Sequence, residues 1–197
     1  MFKKLLVVVI VVASLAGLIG AAAAFFTDTK VVDNNLFTSG TVILNTSPTD
    51  MVVTFANMAP GDAYTAPITV TNSGTLRLRY AVTSVATDTD NKHLMGQLDL
   101  TIKSGVTACT NGGFSADGTS VYAAADLGSA APGINVIGDP KQGPHAGDRE
   151  LAASAAETLC LNVKLPTSTG NLFQGAVTTA TLTFAGEQTV NNMTPTP

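Results

Sequence analysis

The chain has 197 residues, with 10 Lys and Arg against 14 Asp and Glu for a net charge of −4, and charged residues make up only 12% of it. This acidic balance, with no cluster of basic residues, excludes phosphate-driven recognition of nucleic acid and polybasic attachment to anionic lipid. Trp is absent while Thr, Val, Ala and Gly are plentiful, a mixture that favours strands and turns over helices.

In chain order, Met1-Phe2-Lys3-Lys4 is followed by an uncharged, mostly apolar run from Leu5 to Ile19 and then by Gly20 and Ala21 to Ala24. Basic, then apolar, then small is the order of a signal peptide, so residues 1–24 are read as an N-terminal signal helix cut after Ala22, Ala23 or Ala24. The uncharged stretch from Leu5 to Phe26, about 22 residues, is also long enough to cross a bilayer, and an uncleaved leader is the only membrane contact expected. Cleavage removes Lys3 and Lys4 and no acid, leaving 8 basic residues against 14 acidic, a net charge of about −6.

Residues 25–39 read as an extended segment. Phe25, Phe26, Val31, Val32, Leu36 and Phe37 make it unusually apolar for a free end, and an apolar extended end needs a groove. Two readings stay open. The segment is a donor strand for another molecule, or it is the ordinary first strand of its own sheet. Its apolar residues come in adjacent pairs, whereas a strand with one buried face alternates.

From Gly40 to Val190 the chain breaks into short runs of period near two, the pattern of an antiparallel sandwich. The runs are Met51 to Phe55, Tyr64 to Val70, Leu76 to Val82, Leu98 to Ile102, Leu159 to Leu165 and Thr178 to Phe184. In the third, Leu76, Leu78, Tyr80 and Val82 share one face, and Arg77 and Arg79 take the other. Pro60-Gly61 suits a type II turn, and Asn72-Ser73-Gly74 and Asn111-Gly112-Gly113 supply further turn chemistry. From about 126 to 150 the pattern dissolves into Gly, Pro and Ala, so a loop-rich insertion is expected there. Ala152 to Glu157 suggests a short helical turn, and 191–197 a disordered tail.

Cys109 and Cys160 fit an exported protein in which they pair, closing a loop of about 50 residues worth about 4 kcal/mol in the chain-entropy picture. Cys160 falls on the outward face of its strand with Asn162 and Lys164, so the bond would staple a surface loop to the sheet. Residues that could carry chemistry are sparse. His93 and His145 lack metal-ligand spacing. Asp88 to His93 begins like a calcium loop, but Lys92, His93 and Asp99 stand where a ligand, Gly and Glu are needed. Asp148-Arg149-Glu150 reads as a surface ion pair. No catalytic, cofactor-binding or metal-ligating residue is assigned, and no cofactor is expected.

Several separated pieces together resemble the TasA/camelysin family of exported proteins. They are Ala24-Phe25-Phe26-Thr27-Asp28; Phe37-Thr38-Ser39-Gly40-Thr41-Val42-Ile43-Leu44; Asn57 to Asp62 with Ile68 to Leu76; and Leu172-Phe173-Gln174-Gly175 with Leu182-Thr183-Phe184 and Gln188. They bracket nearly the whole mature chain in the family's order, while about 88–150 matches nothing beyond its cysteines. The resemblance implies an all-β, jelly-roll-like antiparallel β-sandwich, secreted to the cell surface or beyond. It implies a subunit of an extracellular filament or biofilm matrix, assembled head to tail by donor-strand exchange through residues 25–39. The partners it implies are the protein itself, a signal peptidase during export and an anchoring or accessory matrix protein. Two further readings stay beside it: a monomeric surface module that binds sugar or protein through the loop from Asp126 to Asp148, and the metallopeptidase activity for which camelysin is named.

Overall fold

The computed structural model describes residues 39–49 and 52–190. The expected signal helix, residues 25–38 of the extended segment and the tail 191–197 lie outside the described residues. The described chain is all-β, with ten strands: β1 (Leu44–Ser47), β2 (Val52–Ala56), β3 (Ala63–Asn72), β4 (Leu78–Ala86), β5 (Asp99–Ser104), β6 (Thr119–Asp126), β7 (Ile134–Ile137), β8 (Arg149–Leu151), β9 (Ala156–Lys164) and β10 (Val177–Gln188). They form two antiparallel sheets. One has the order β1-β3-β9-β5-β6; the other has the order β2-β10-β4-β7, with β8 also paired to β4. Among the described residues no helix is long and apolar enough to cross a membrane.

The core is what period-two patterning dictates. Ile68 and Val70 of β3, Leu100 and Ile102 of β5, and Leu159, Leu161 and Val163 of β9 face Leu78, Tyr80 and Val82 of β4, all buried. The third expected run begins later than its pattern, at Leu78, because Leu76 belongs to the turn and donates its N–H to the Thr41 carbonyl. Gly61, at φ +102°, sits third in the expected tight turn, which the Asp62 N–H closes on the Ala59 carbonyl at 2.9 Å. Gly74 is required by proximity, since a Cβ there would collide with the Thr41 carbonyl.

One expectation is corrected, the helical turn at 152–157, and three gain detail. The stretch 126–150 is loop-rich as expected, but part of it packs: Leu127, Val136 and Ile137 are buried, β7 pairs with β4, and Ser84 Oγ donates to the Leu127 carbonyl at 2.6 Å. Ala152 to Glu157 makes a tight turn and then enters β9, with Ala155 N–H bonded to the Ala152 carbonyl. Cys160, although outward-facing, is 1% exposed, because the disulfide to Cys109 (Cα–Cα 5.6 Å) holds the β5–β6 connection over it. That connection makes a small second layer: Phe114 is buried, and Lys103 lies 4.7 Å from its ring while donating to the Phe114 and Asp117 carbonyls. Arg79, also outward, is buried on the other sheet by the segment 138–148.

Asn72 ties the two sheets at one end. Fully buried, its Nδ2 donates to the carbonyls of Leu76 (2.8 Å), Ala152 (3.0 Å) and Leu151 (3.2 Å), and its Oδ1 accepts from Gly74 N–H (3.0 Å). Asn72→Ala strands those groups away from water. It should lower unfolding free energy by about 2–3 kcal/mol in urea denaturation.

Candidate functional site

β1 and β2 are successive in the chain but belong to different sheets. β1 pairs with residues Thr69–Asn72 of β3, and β2 with residues Val177–Thr181 of β10. The chain therefore runs along the edge of one sheet for its upper half and along the edge of the other for its lower half; the upper end is taken here as the end where β10 stops. Two half-edges are left beside it: Ala63–Ile68 of β3 and the part of β10 beyond Thr181.

The two half-edges differ. On β10, Thr179 accepts the Thr87 N–H from the β4 side and Thr189 donates to the Arg77 carbonyl on that side, so odd-numbered residues direct their peptide groups to β4. Leu182, Phe184 and Gly186 then direct theirs away from β4, past the last residue paired with β2, where among the described residues no strand meets them. The side chains of Leu182 and Phe184 point inward and are only half-buried. On β3, Asn72 N–H bonds toward β9 and Ser73 N–H toward Ile43, so the odd-numbered residues face the free side. There Pro67 has no N–H to offer and the Ala63 carbonyl is taken by Asn111 Nδ2 at 2.7 Å. The opposite edge of the same sheet, β6, is broken by two register shifts against β5 and by Ala124 at φ +37°. The β10 half-edge has no proline, bulge or charged residue between Leu182 and Gly186.

Beside it is a groove of about 180 Å³ lined by Leu44, Thr46, Thr49, Leu182 and Phe184. Ring and polar contacts run behind it. The Phe184 ring lies 6.2 Å from that of Tyr80, whose hydroxyl donates to Glu157 at 2.7 Å, and Glu157 also takes Arg149 in a bidentate pair. Burial first, and the Glu157 carboxylate second, push the Tyr80 hydroxyl well above the ordinary phenol range, so it remains a donor. On the outward side Arg79 pairs with Glu187 at 2.5 Å and Asp148 at 3.7 Å.

The residues named from sequence fall in different places. Phe25, Phe26, Val31, Val32, Leu36 and Phe37 lie outside the described residues. Asp148, Arg149 and Glu150 do not pair among themselves: they reach Arg79, Glu157 and Arg77 across strands, because alternation sends neighbours to opposite faces. Asp88 and Asp90 close their own turn, Asp88 on His93 N–H (2.8 Å) and Asp90 on Lys92 N–H (3.1 Å) and Val177 N–H (2.8 Å). The Val177 bond, then that of Lys92, holds the Asp90 carboxyl below its ordinary pKa. Leu182 and Phe184 had no signal of their own, since an inward residue on a half-paired strand has the same alternation as one on a fully paired strand.

A hydrolytic metal would need three or more converging ligands. Among the described residues no three of His, Cys, Asp and Glu converge, both cysteines are in the disulfide, and His93 and His145 lie toward opposite ends of β4. These residues do not fit a catalytic metal centre.

The sequence pattern of the family described as camelysin metallo-endopeptidase matches residues 1–192. No curated protein matches the chain. A solved structure, "Structure of infectious bursal disease virus Gx strain", is 15% identical over 81% of this chain and 36% of that one, with a TM-score of 0.33, too low to carry an argument. This chain thus spans about a third of that structure's length.

In the protein beginning at Gly40, the amides of Leu182, Phe184 and Gly186 should exchange with deuterium about a hundredfold faster than those of Thr181, Thr183 and Ala185. Site-resolved hydrogen exchange checks this.

Proposed function

The chain belongs to the camelysin metallo-endopeptidase family, and from that membership and the open half of β10 we propose that it is an exported structural protein, a subunit of an extracellular filament or matrix built head to tail. In this reading the segment from Phe25 to Thr38 of one copy pairs with Leu182–Gly186 of the next. The single observation that carries it is the row of N–H and C=O groups on Leu182, Phe184 and Gly186, which offers an incoming strand its ladder beside a groove whose lining mixes Leu44, Leu182 and Phe184 with Thr46 and Thr49.

The chemistry of the two parts suits. Residues 25–38, extended, reach roughly 46 Å, more than the roughly 17 Å of the five open residues, so strand and linker both fit. The adjacent apolar pairs also gain a meaning. Neighbours on a strand point to opposite faces, so Val31 or Val32, and Leu36 or Phe37, turn toward the groove in either register. A contact between different surfaces of identical copies does not close on itself and so grows a filament. No nucleic acid enters this reading, and no residue is given a catalytic role. Signal peptidase processing and an anchoring matrix protein remain the expected accessory partners.

Electron microscopy of the mature protein beginning at Phe25, beside the version beginning at Gly40, tests the proposal. Filaments are expected from the first and monomers from the second. Val32→Asp with Phe37→Asp puts a carboxylate on each face of the segment and should leave the monomer folded while stopping growth. Filaments from the Gly40 version, or from the double variant, would overturn the donor role.

A further inference from the structure

A strand paired with Leu182–Gly186 places every second side chain opposite Leu182, Phe184 or Gly186, and so turns three of them toward the groove. Among the described residues the groove's lining carries no charge, and the charges behind Phe184, on Arg149 and Glu157, are already paired with each other. A carboxylate or ammonium turned inward would lose water without gaining a counter-ion. Apolar side chains there would instead complete the burial of Leu182 and Phe184, which the described fold leaves half done.

These two conditions select one face of the segment from Phe25 to Thr38. Its charges are Asp28, Lys30 and Asp33. The alternating triples that avoid all of them are 25-27-29, 27-29-31, 32-34-36 and 34-36-38. Three of these supply a single large apolar side chain. Val32, Asn34 and Leu36 supply two, with an amide between them. The polar part of the lining suits that amide: Thr46 Oγ1 donates to the Thr49 carbonyl at 3.2 Å and keeps lone pairs that an N–H can use. Val31, Asp33 and Phe37 then fall on the outward face, alongside the exposed Thr181 and Thr183 of β10, where a carboxylate keeps its water.

We propose that Val32, Asn34 and Leu36 enter the groove beside Leu182–Gly186, so that the even-numbered face of the segment is its recognition face. The inference rests on the head-to-tail reading for the copy that supplies the segment, but the choice of face is the same whichever copy does. Its test uses the mature protein beginning at Phe25, as wild type and as Val32→Asp, Leu36→Asp, Val31→Asp and Phe37→Asp, with site-resolved hydrogen exchange and filament growth both measured. In the wild type the amides of Leu182, Phe184 and Gly186 should exchange nearly as slowly as those of Thr183 and Ala185, which bond β4 and report an intact fold. Val32→Asp and Leu36→Asp should each speed exchange at Leu182, Phe184 and Gly186 about a hundredfold and raise the concentration needed for growth about tenfold. Val31→Asp and Phe37→Asp should leave both within about twofold. If either of these outward variants does as much damage as the inward pair, the choice of face is overturned and the head-to-tail reading stands. Slow exchange in a protein that stays monomeric, with the inward variants alone abolishing it, supports the face and overturns the head-to-tail reading. Fast exchange at Leu182, Phe184 and Gly186 in the wild type overturns both.

Discussion

Each peptide group in a strand carries a donor and an acceptor that need partners, and here the crossing between β1 and β2 decides which of them go without. A single run of chain serves as edge strand for two sheets in turn. What it covers in the upper half of one sheet it leaves uncovered in the lower half, and the reverse holds for the other. The half-paired state of β10 follows from that path and not from any weakness in β10, the longest strand, which is bonded to β4 from Ala180 to Gln188.

The rest of the architecture can be read as support for this edge. β10 is backed by β4, and β4 is locked from both faces. Inward, Tyr80 joins Glu157 and Arg149; outward, Arg79 joins Glu187 and Asp148. Buried ion pairs of this kind add little net stability over an apolar core, but breaking one is costly, so they hold a geometry more than they deepen a well. On the other sheet the disulfide and Phe114 do the equivalent work with apolar contact. A groove that accepts a strand without rearranging spends less of its binding energy on ordering itself.

The strands with one plainly apolar face were legible in the sequence: Ile68 and Val70, Leu100 and Ile102, Leu159, Leu161 and Val163 alternate with polar residues and are core. The turn at Pro60-Gly61 and the pairing of the two cysteines were legible too. What escaped were places where a second layer covers the outward face. Arg79 and Cys160 read as outward-facing, which they are, but alternation reports which side of a sheet a residue takes and not how deeply that side is covered. β7 escaped for a related reason: Ile134–Ile137 is too short to show a period, and its neighbours Pro132, Gly133 and Gly138 mark only turns. The open half-edge was beyond reach altogether, since it depends on where β2 begins relative to β10, a register that no local pattern encodes.

An assembling sheet protein has to leave one edge available while closing the others, or it aggregates in every direction. Three stretches of edge here differ in their chemistry. On β3 a proline withholds the N–H and Asn111 occupies a carbonyl; on β6 register shifts and a left-handed alanine bend the ladder. Between Leu182 and Gly186 none of these devices is present, and the one glycine lies where a Cβ would come within 3.1 Å of Leu44. Gly186 therefore lets β1 approach closely, so that Leu44 forms one wall of the groove and Phe184 the other. With β3 and β6 blunted and Leu182–Gly186 open beside Leu44, the proposed head-to-tail contact has one of these three stretches to use.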